Sequence, residues 1–546
     1  MRSSDLFAKC LETEGVKYIF GIPGEETLEL VDSIISSGIK FITTRHEQGA
    51  AFMADAYGRL TGRAGVCLST LGPGATNLLT GIADANLDRA PLVAITAQTS
   101  LSKLHKESHQ FVDIVQCFKP VTKWNTRVED SSTIPEIVRK AFKIAESEKP
   151  GACHIEMPEN IASEDIEYSP IAGSIKPAMP APEQRSVDIA ADIINRAKNP
   201  VIIAGNGVIR GRASEELFRF ANKTNIPVAN TFMGKGVVPS DSPLSLNTIG
   251  LQLKDYVSCG FDRADLIIAV GYDFAEYAPA FWNQAGDKKI VHIDFTNAEV
   301  DFHYQASCEV IGDIKTSLKL LSEKVKGRKD NKYTSTLRDY IIREMESGSN
   351  DNSFPMRPQR ILSDIRKVLD KEDILISDVG AHKIWIARMF PTYCPNTVII
   401  SNGFASMGFA LPAAITAKMV YPDRKVLAVC GDGGFLMNCQ ELETAVRLKL
   451  PFVSLIFNDN GYGLIRWKQV KRFGKSNGGV DFGNPDFVKF AESFGAKGMR
   501  IESASELEPA LKEAFKSNVP VVVDVPVDYS ENMKLTERMG RLICPI

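Results

Sequence analysis

The sequence predicts an α/β fold built as three doubly wound parallel-sheet domains. Its 546 residues are too many for one hydrophobic core and point to about three domains of ordinary size. Apolar runs of strand length, each closing on a glycine turn that leads into helical spacing, recur at 18–24, 66–77, 200–207 and 374–382. Residues 425–461 hold a whole unit: an apolar run at 425–430, then Gly431-Asp432-Gly433-Gly434, helical spacing over 441–448, and a second apolar run at 452–457 that leads into Asn458-Asp459-Asn460-Gly461. A strand, a glycine turn, a helix and a parallel strand make a βαβ unit. Its two carboxyl-end loops lie where open α/β sheets bind ligands.

Residues 1–165 form the predicted first domain. Ser4 is placed to cap a helix over 5–14, and 18–21 reads as a short buried strand. The turn Gly21-Ile22-Pro23-Gly24 brings backbone close to a substrate or is simply a turn. A strand from 41 runs into a helix rich in small residues, with Glu47 at the junction, where a carboxylate complements the helix dipole or acts on a ligand. Residues 66–77 repeat the pattern through Gly72-Pro73-Gly74, a phosphate loop or tight packing. His105 and His109 read as polar loop residues, because no second metal-binding side chain stands near them.

A proline-extended linker over 169–182 leads to the second domain, 185–340. Its first strand ends in Gly205-Asn206-Gly207, but the next glycine, Gly211, breaks the dinucleotide fingerprint, so the domain is nucleotide-fold-like without a proven nucleotide. The polar stretch 324–353 reads as an exposed helix plus linker. The third domain, 355–546, opens with a strand and the turn Val379-Gly380-Ala381-His382, where His382 is a loop residue or a phosphate contact. Met407 follows; methionine usually fills irregular core gaps. In the 425–461 unit each loop carries an acid beside glycines. Asp432, Asp459 and a main-chain oxygen, with diphosphate oxygens completing the shell, suit octahedral Mg²⁺.

These paired loops resemble the thiamine diphosphate signature of the decarboxylase and acetolactate synthase superfamily, and the resemblance extends over all three domains. It implies a pyrimidine-binding first domain, a central domain and a diphosphate-binding third domain, with thiamine diphosphate and Mg²⁺ as cofactors. Asp432, Asp459 and the Gly461 carbonyl are the implied metal ligands. Glu47 is implied to bond the aminopyrimidine ring and drive it to the imino form, and Gln110 to face the reacting carbon. Met407 is implied to wedge between the two cofactor rings and force their bent form. Pro23, Gly24, Gly74 and Asn77 from the first domain are implied to line the cofactor. From the third domain the same holds for Val379, Gly380, Ala381, His382, Ala405, Gly431, Gly433 and Gly434, and for Tyr462, Gly463, Leu464 and Ile465.

Biosynthetic members hold FAD with an arginine-rich run after a central strand; this chain has Gly271-Tyr272-Asp273 leading to Phe281-Trp282, as in the catabolic, flavin-independent acetolactate synthases, so no FAD is expected. Lys468 stands where biosynthetic members carry a tryptophan that favours 2-ketobutyrate, which points to pyruvate as acceptor. Glu25-Glu26 departs from the Ala-Lys of several catabolic members, leaving Lys123 or Arg466 to attract the pyruvate carboxylate. The implied activity is that of an acetolactate synthase: one pyruvate is decarboxylated and the remaining unit condenses with a second to give 2-acetolactate and CO₂. The alternatives are another thiamine-dependent 2-oxoacid decarboxylase or oxidase, and a FAD-containing biosynthetic enzyme. A site shared between subunits implies a homodimer or homotetramer.

Composition agrees: 44% hydrophobic and 24% charged residues are those of a soluble globular protein, and a net charge of −3 leaves no footprint for nucleic acid. No apolar run approaches the ~20 residues of a membrane span, and the N-terminus lacks a signal peptide's apolar core. Ten scattered cysteines without metal spacing are expected as free thiols in a reducing cytoplasm.

Overall fold

The computed structural model describes residues 1–171, 179–250, 255–328, 330 and 332–532. Its described residues form three six-stranded sheets whose strands pair in parallel. The first sheet uses β1 (Tyr18–Gly21), β2 (Lys40–Thr43), β3 (Gly65–Ser69), β4 (Leu92–Gln98), β5 (Trp124–Arg127) and β6 (Ala152–Pro158), in the order β2-β1-β3-β4-β6-β5. The second uses β7 (Pro200–Ala204), β8 (Val228–Asn230), β9 (Ser245–Thr248), β10 (Leu266–Val270), β11 (Lys289–Asp294) and β12 (Ala306–Ile311), in the order β12-β11-β10-β7-β8-β9. The third uses β13 (Ile374–Ser377), β14 (Val398–Ile400), β15 (Val426–Gly431), β16 (Val453–Asn458), β17 (Lys497–Arg500) and β18 (Val521–Pro526), in the order β14-β13-β15-β16-β18-β17.

The outer two sheets therefore share one topology, and the middle sheet has another. Central strands such as Leu266–Val270 and Leu92–Gln98 are buried along their whole length, because helices cover both faces of a parallel sheet and leave no wet side. The middle sheet reverses strand order once, between β10 and β7; the outer sheets reverse between β1 and β3 and between β13 and β15, and again at the far edge, where β5 lies outside β6 and β17 outside β18. The central reversals, one in each sheet, are the switch points at which such sheets open a crevice beyond their carboxyl ends.

One apolar core runs through the first and third sheets. Helix Glu47–Thr61 offers Ala50, Ala51 and Ala54, and helix Ala410–Val420 offers Ala413, Ala414 and Ala417, all fully buried. Small side chains let the two helices approach closely, and Phe52 and Phe409 fill the seam edge to face with ring centroids 5.6 Å apart. A buried charge cluster closes this seam: Arg59 meets Asp55 at 2.5 Å and Asp84 and Asp88 at 2.9 Å each.

Several local expectations change. The first helix spans Ser3–Thr13, with Ser4 buried inside it; Asp5 reaches back to accept the Arg2 N–H at 3.0 Å and starts the helix earlier than a Ser4 cap would. The polar stretch after 324 is not a free surface helix. Within it, helix Lys332–Glu346 buries Leu337 and Ile341, one turn apart, against Phe261 and Trp282 of the central domain, while Glu344 pairs with the buried Arg388. Among the described residues eight cysteines are free thiols, but Cys259 is disulfide-bonded, against the expectation of free thiols throughout. The predicted linker at 169–182 falls partly on 172–178, and the third domain's predicted end on 533–546, both outside the described residues. Among the described residues no helix is long and apolar enough to cross a membrane.

Candidate active site

The predicted site residues gather at the switch points of the first and third sheets. In the first domain, Glu47 opens its helix just beyond β2, is 8% exposed, and accepts a hydrogen bond from Asn77 Nδ2 at 2.9 Å. Asn77 lies on helix Pro73–Leu87, one turn beyond Gly74, and a Cβ on Gly74 would come within 3.3 Å of Glu47 Oε1. Pro23 and Gly24 lie on the adjoining turn, where Gly24 packs onto Thr70. Gln110, at φ 55, lays its carbonyl over Gly72. Glu26 accepts a bond from Thr70 Oγ1 at 2.8 Å, so it clips this turn to the loop after β3.

In the third domain, Asp378 ends the strand before Val379, Gly380, Ala381 and His382. Its buried carboxyl accepts the N–H of Val379 at 2.7 Å and of Gly408 at 2.9 Å, and so ties the Ala405–Met407 loop to β13. Burial pushes this carboxyl up to about 7. Gly434 packs on it so closely that a Cβ would sit 2.8 Å from Asp378 Oδ2. His382 is 1% exposed; burial pushes it down to about 3, and its Nε2 has no hydrogen-bond partner.

Beyond β15, Asp432 accepts the Gly433 N–H at 2.8 Å, the Gly461 N–H at 3.2 Å and Asn484 Nδ2 at 2.8 Å. Beyond β16, Asp459 pairs with Arg466 at 2.6 Å. Burial and the neighbouring Asp432 charge push Asp459 up to about 7, and burial raises Asp432 as well. Two acids crowded out of water are costly until a cation joins them. With the Gly461 carbonyl beside them, this all-oxygen donor set fits a divalent ion of the Mg²⁺ class, although no cluster of three acidic, histidine or cysteine ligands exists among the described residues. The His382 ring lies against Gly380 and Gly431 through its Cε1–Nδ1 edge, and its orphaned Nε2 fits an anionic ligand oxygen. Tyr462 stacks edge-on with Phe482 over Gly433, and helix Gly463–Phe473 carries Leu464 and the half-exposed Ile465.

No hydrogen bond or ion pair among the described residues joins Glu47 to the Asp432 and Asp459 loops. The link is made beside them. Glu441, buried on the helix that follows the metal loop, accepts the N–H groups of Arg45 and His46 at 3.0 Å each, and Asn438 donates to Gln48 at 3.3 Å. Glu441, Asn484 and Asp378 were not singled out from sequence. The helical spacing after the metal loop could have marked Glu441; nothing local marks Asn484. Neither cation suggested as a substitute for the missing lysine is spare, because Lys123 donates to the Ile144 and Ser147 carbonyls and Arg466 holds Asp459 and Asp481.

Comparison with known proteins defines the class. The chain matches the N-terminal TPP binding domain of thiamine pyrophosphate enzymes over residues 1–117, their central domain over 187–321 and their C-terminal TPP binding domain over 378–525. It is 37% identical to an acetolactate synthase of Bacillus subtilis over 99% of this chain and 97% of that protein. It is 38% identical to a catabolic acetolactate synthase of Raoultella terrigena, with the same coverage of both chains, and 38% identical to a probable acetolactate synthase large subunit of Methanocaldococcus jannaschii over 99% and 94%. The chain belongs to the acetolactate synthase family of thiamine pyrophosphate enzymes.

Proposed function

We propose that this protein is a flavin-independent acetolactate synthase, which decarboxylates one pyruvate and joins the remaining two-carbon unit to a second, releasing 2-acetolactate and CO₂. The observation that carries the reading is near-complete coverage of acetolactate synthases, one of them catabolic, by all three domains at 37–38% identity. Thiamine diphosphate, when bound, supplies the electron sink that decarboxylation requires. Asp432, Asp459 and the Gly461 carbonyl would hold Mg²⁺, which would neutralise the diphosphate charge. His382 and the main chain of Val379, Gly380, Ala381, Gly431, Gly433 and Gly434 receive the phosphate oxygens, while Tyr462, Gly463, Leu464 and Ile465 close that side. Ala405 and Met407 support the rings, with the loop pinned by Asp378.

Glu47 would hydrogen-bond the aminopyrimidine side of the cofactor; Asn77 fixes its rotamer. Pro23, Gly24 and Gly74 shape the wall beside it, and Gln110 faces the reacting carbon. Glu47 of one subunit serves the Asp432 and Asp459 loops of another, making a homodimer or homotetramer. Solvent is the cytoplasm, and no nucleic acid or membrane partner enters the reading.

The test is acetolactate formation from pyruvate alone with thiamine diphosphate and Mg²⁺ and no added flavin, on protein without a visible flavin band. Carbon dioxide release without acetolactate would instead identify a decarboxylase, and a strict need for added FAD would identify the biosynthetic type.

A further inference from the structure

The middle sheet has the strand order of a nucleotide-binding domain, and its switch point lies between β7 and β10. The loops leaving these strands are zipped together: Gly205 N–H donates to the Val270 carbonyl at 3.0 Å, and Gly207 N–H to the Gly271 carbonyl at 2.8 Å. The approach is so close that a Cβ on Gly205 would lie 2.3 Å from the Gly271 oxygen and 2.9 Å from Glu276 Oε1. At the mouth of this crevice a nucleotide phosphate would meet the Asn206 N–H and the Thr231 hydroxyl beyond β8. Both donors are already taken. Asn206 N–H donates to Glu276 Oε1 at 3.0 Å and Oε2 at 3.1 Å, and Thr231 Oγ1 donates to Glu276 Oε2. Glu276 is 8% exposed.

We propose that Glu276 is the resident ligand of the central crevice: its carboxyl group occupies the donors that this fold offers to a nucleotide phosphate, closing the crevice to FAD and other adenine nucleotides, and its removal creates a binding site for a small carboxylate. The segment is braced from all three domains. Asp273 pairs with Arg89 at 3.0 Å and Lys149 at 3.2 Å, and the Glu276 carbonyl accepts Asn402 Nδ2 at 3.0 Å, from the loop that leads to Met407. A carboxyl that burial pushes up to about 8 is one held for its place in the fold rather than for solvation. No catalytic step is assigned to it, and none of the residues placed in the catalytic site touches it through its side chain.

The proposal deepens the flavin-free reading, and its main test is independent of catalysis. Glu276→Ala removes a side chain about the size of acetate. Its thermal midpoint is expected to fall by several degrees and to recover, dose-dependently, in 0–200 mM sodium acetate at pH 6 with chloride held to equal ionic strength, while wild type and Glu276→Gln show no such recovery. An equal response of all three proteins, or none from the variant, overturns the carboxylate site. Should Glu276→Ala fail to fold, wild-type protein titrated calorimetrically with ADP and with FAD decides: no binding at ligand concentrations of about 1 mM is expected, and saturable binding of either overturns the closed crevice. Flavin-free acetolactate formation can succeed or fail separately from both results.

Discussion

Glu441 is where the metal loop's domain grips the catalytic end of the first domain, and its removal should be felt at Glu47. Its carboxyl is fully buried, accepts Thr444 Oγ1 at 2.7 Å, and receives the Arg45 and His46 N–H groups, immediately before Glu47. In Glu441→Ala those two N–H groups lose their acceptor inside the interface. Leaving a buried donor unpaired costs about 1–3 kcal/mol; at these part-buried bonds the low end applies, so the pair costs ~2 kcal/mol. At ~2 kcal/mol, amide exchange at Arg45 and His46 should quicken roughly 30-fold. Glu441→Gln retains a carbonyl acceptor and should quicken it less than about 10-fold. Acetolactate turnover should fall in the same order, because the helix start that aims Glu47 is loosened while the metal ligands are untouched. The assay is mass-spectrometric hydrogen exchange over residues 41–52 beside steady-state turnover at saturating Mg²⁺ and cofactor. Unchanged exchange at Arg45 and His46 in Glu441→Ala, whatever happens to activity, refutes the reasoning.

Three further outcomes follow from buried groups elsewhere. Asn484 bridges Asp432 at 2.8 Å, Asn458 at 3.0 Å and Asn460 at 3.2 Å, so Asn484→Ala should weaken Mg²⁺ activation about 10–100-fold, with turnover largely restored at high Mg²⁺; a Mg²⁺ titration checks it. Arg59→Met strands Asp55, Asp84 and Asp88 in the seam and should cost about 3–5 kcal/mol. Burial and the neighbouring acids already raise Asp84, and without Arg59 its neutral form is favoured further, a contribution present at low pH and lost as pH rises, so thermal melting should show the variant's deficit shrinking towards pH 5. Glu276, raised by burial from 4.5 to about 8, contributes stability that is complete below pH 4.5 and is lost as pH rises through about 8. Glu276→Gln should therefore gain on wild type by up to ~1.4 kcal/mol per pH unit across that window, and parallel melting curves between pH 5 and 9 would contradict it.

The acetolactate synthase assignment also separates recognition from geometry. Three thiamine pyrophosphate domains and full-length relatives speak for the reaction, but the local chemistry has to be supplied by this chain's own contacts. Glu26 illustrates the point. It stands where a cation was expected, yet Thr70 holds it at 2.8 Å, so it serves the turn rather than facing freely into the crevice.

By itself the sequence determined what depends on order along the chain. Apolar runs, glycine turns and helical spacing specify strands, their parallel direction and the loops at their carboxyl ends, because these follow from periodicity and connection length. Hence three α/β units and the Gly431–Asp432 and Asp459–Gly461 loops were legible before any coordinates. Tertiary structure alone decided which distant groups share a hydrogen bond. Glu441 with Arg45, Asn484 with Asp432, Asp378 with Gly408 and Glu276 with Asn206 are each brought together by sheet order and domain packing, not by spacing. The polar stretch 324–353 reads as an exposed helix plus linker, yet Leu337 and Ile341 suffice to dock its helix Lys332–Glu346; how much of an amphipathic face is buried depends on the surface it meets.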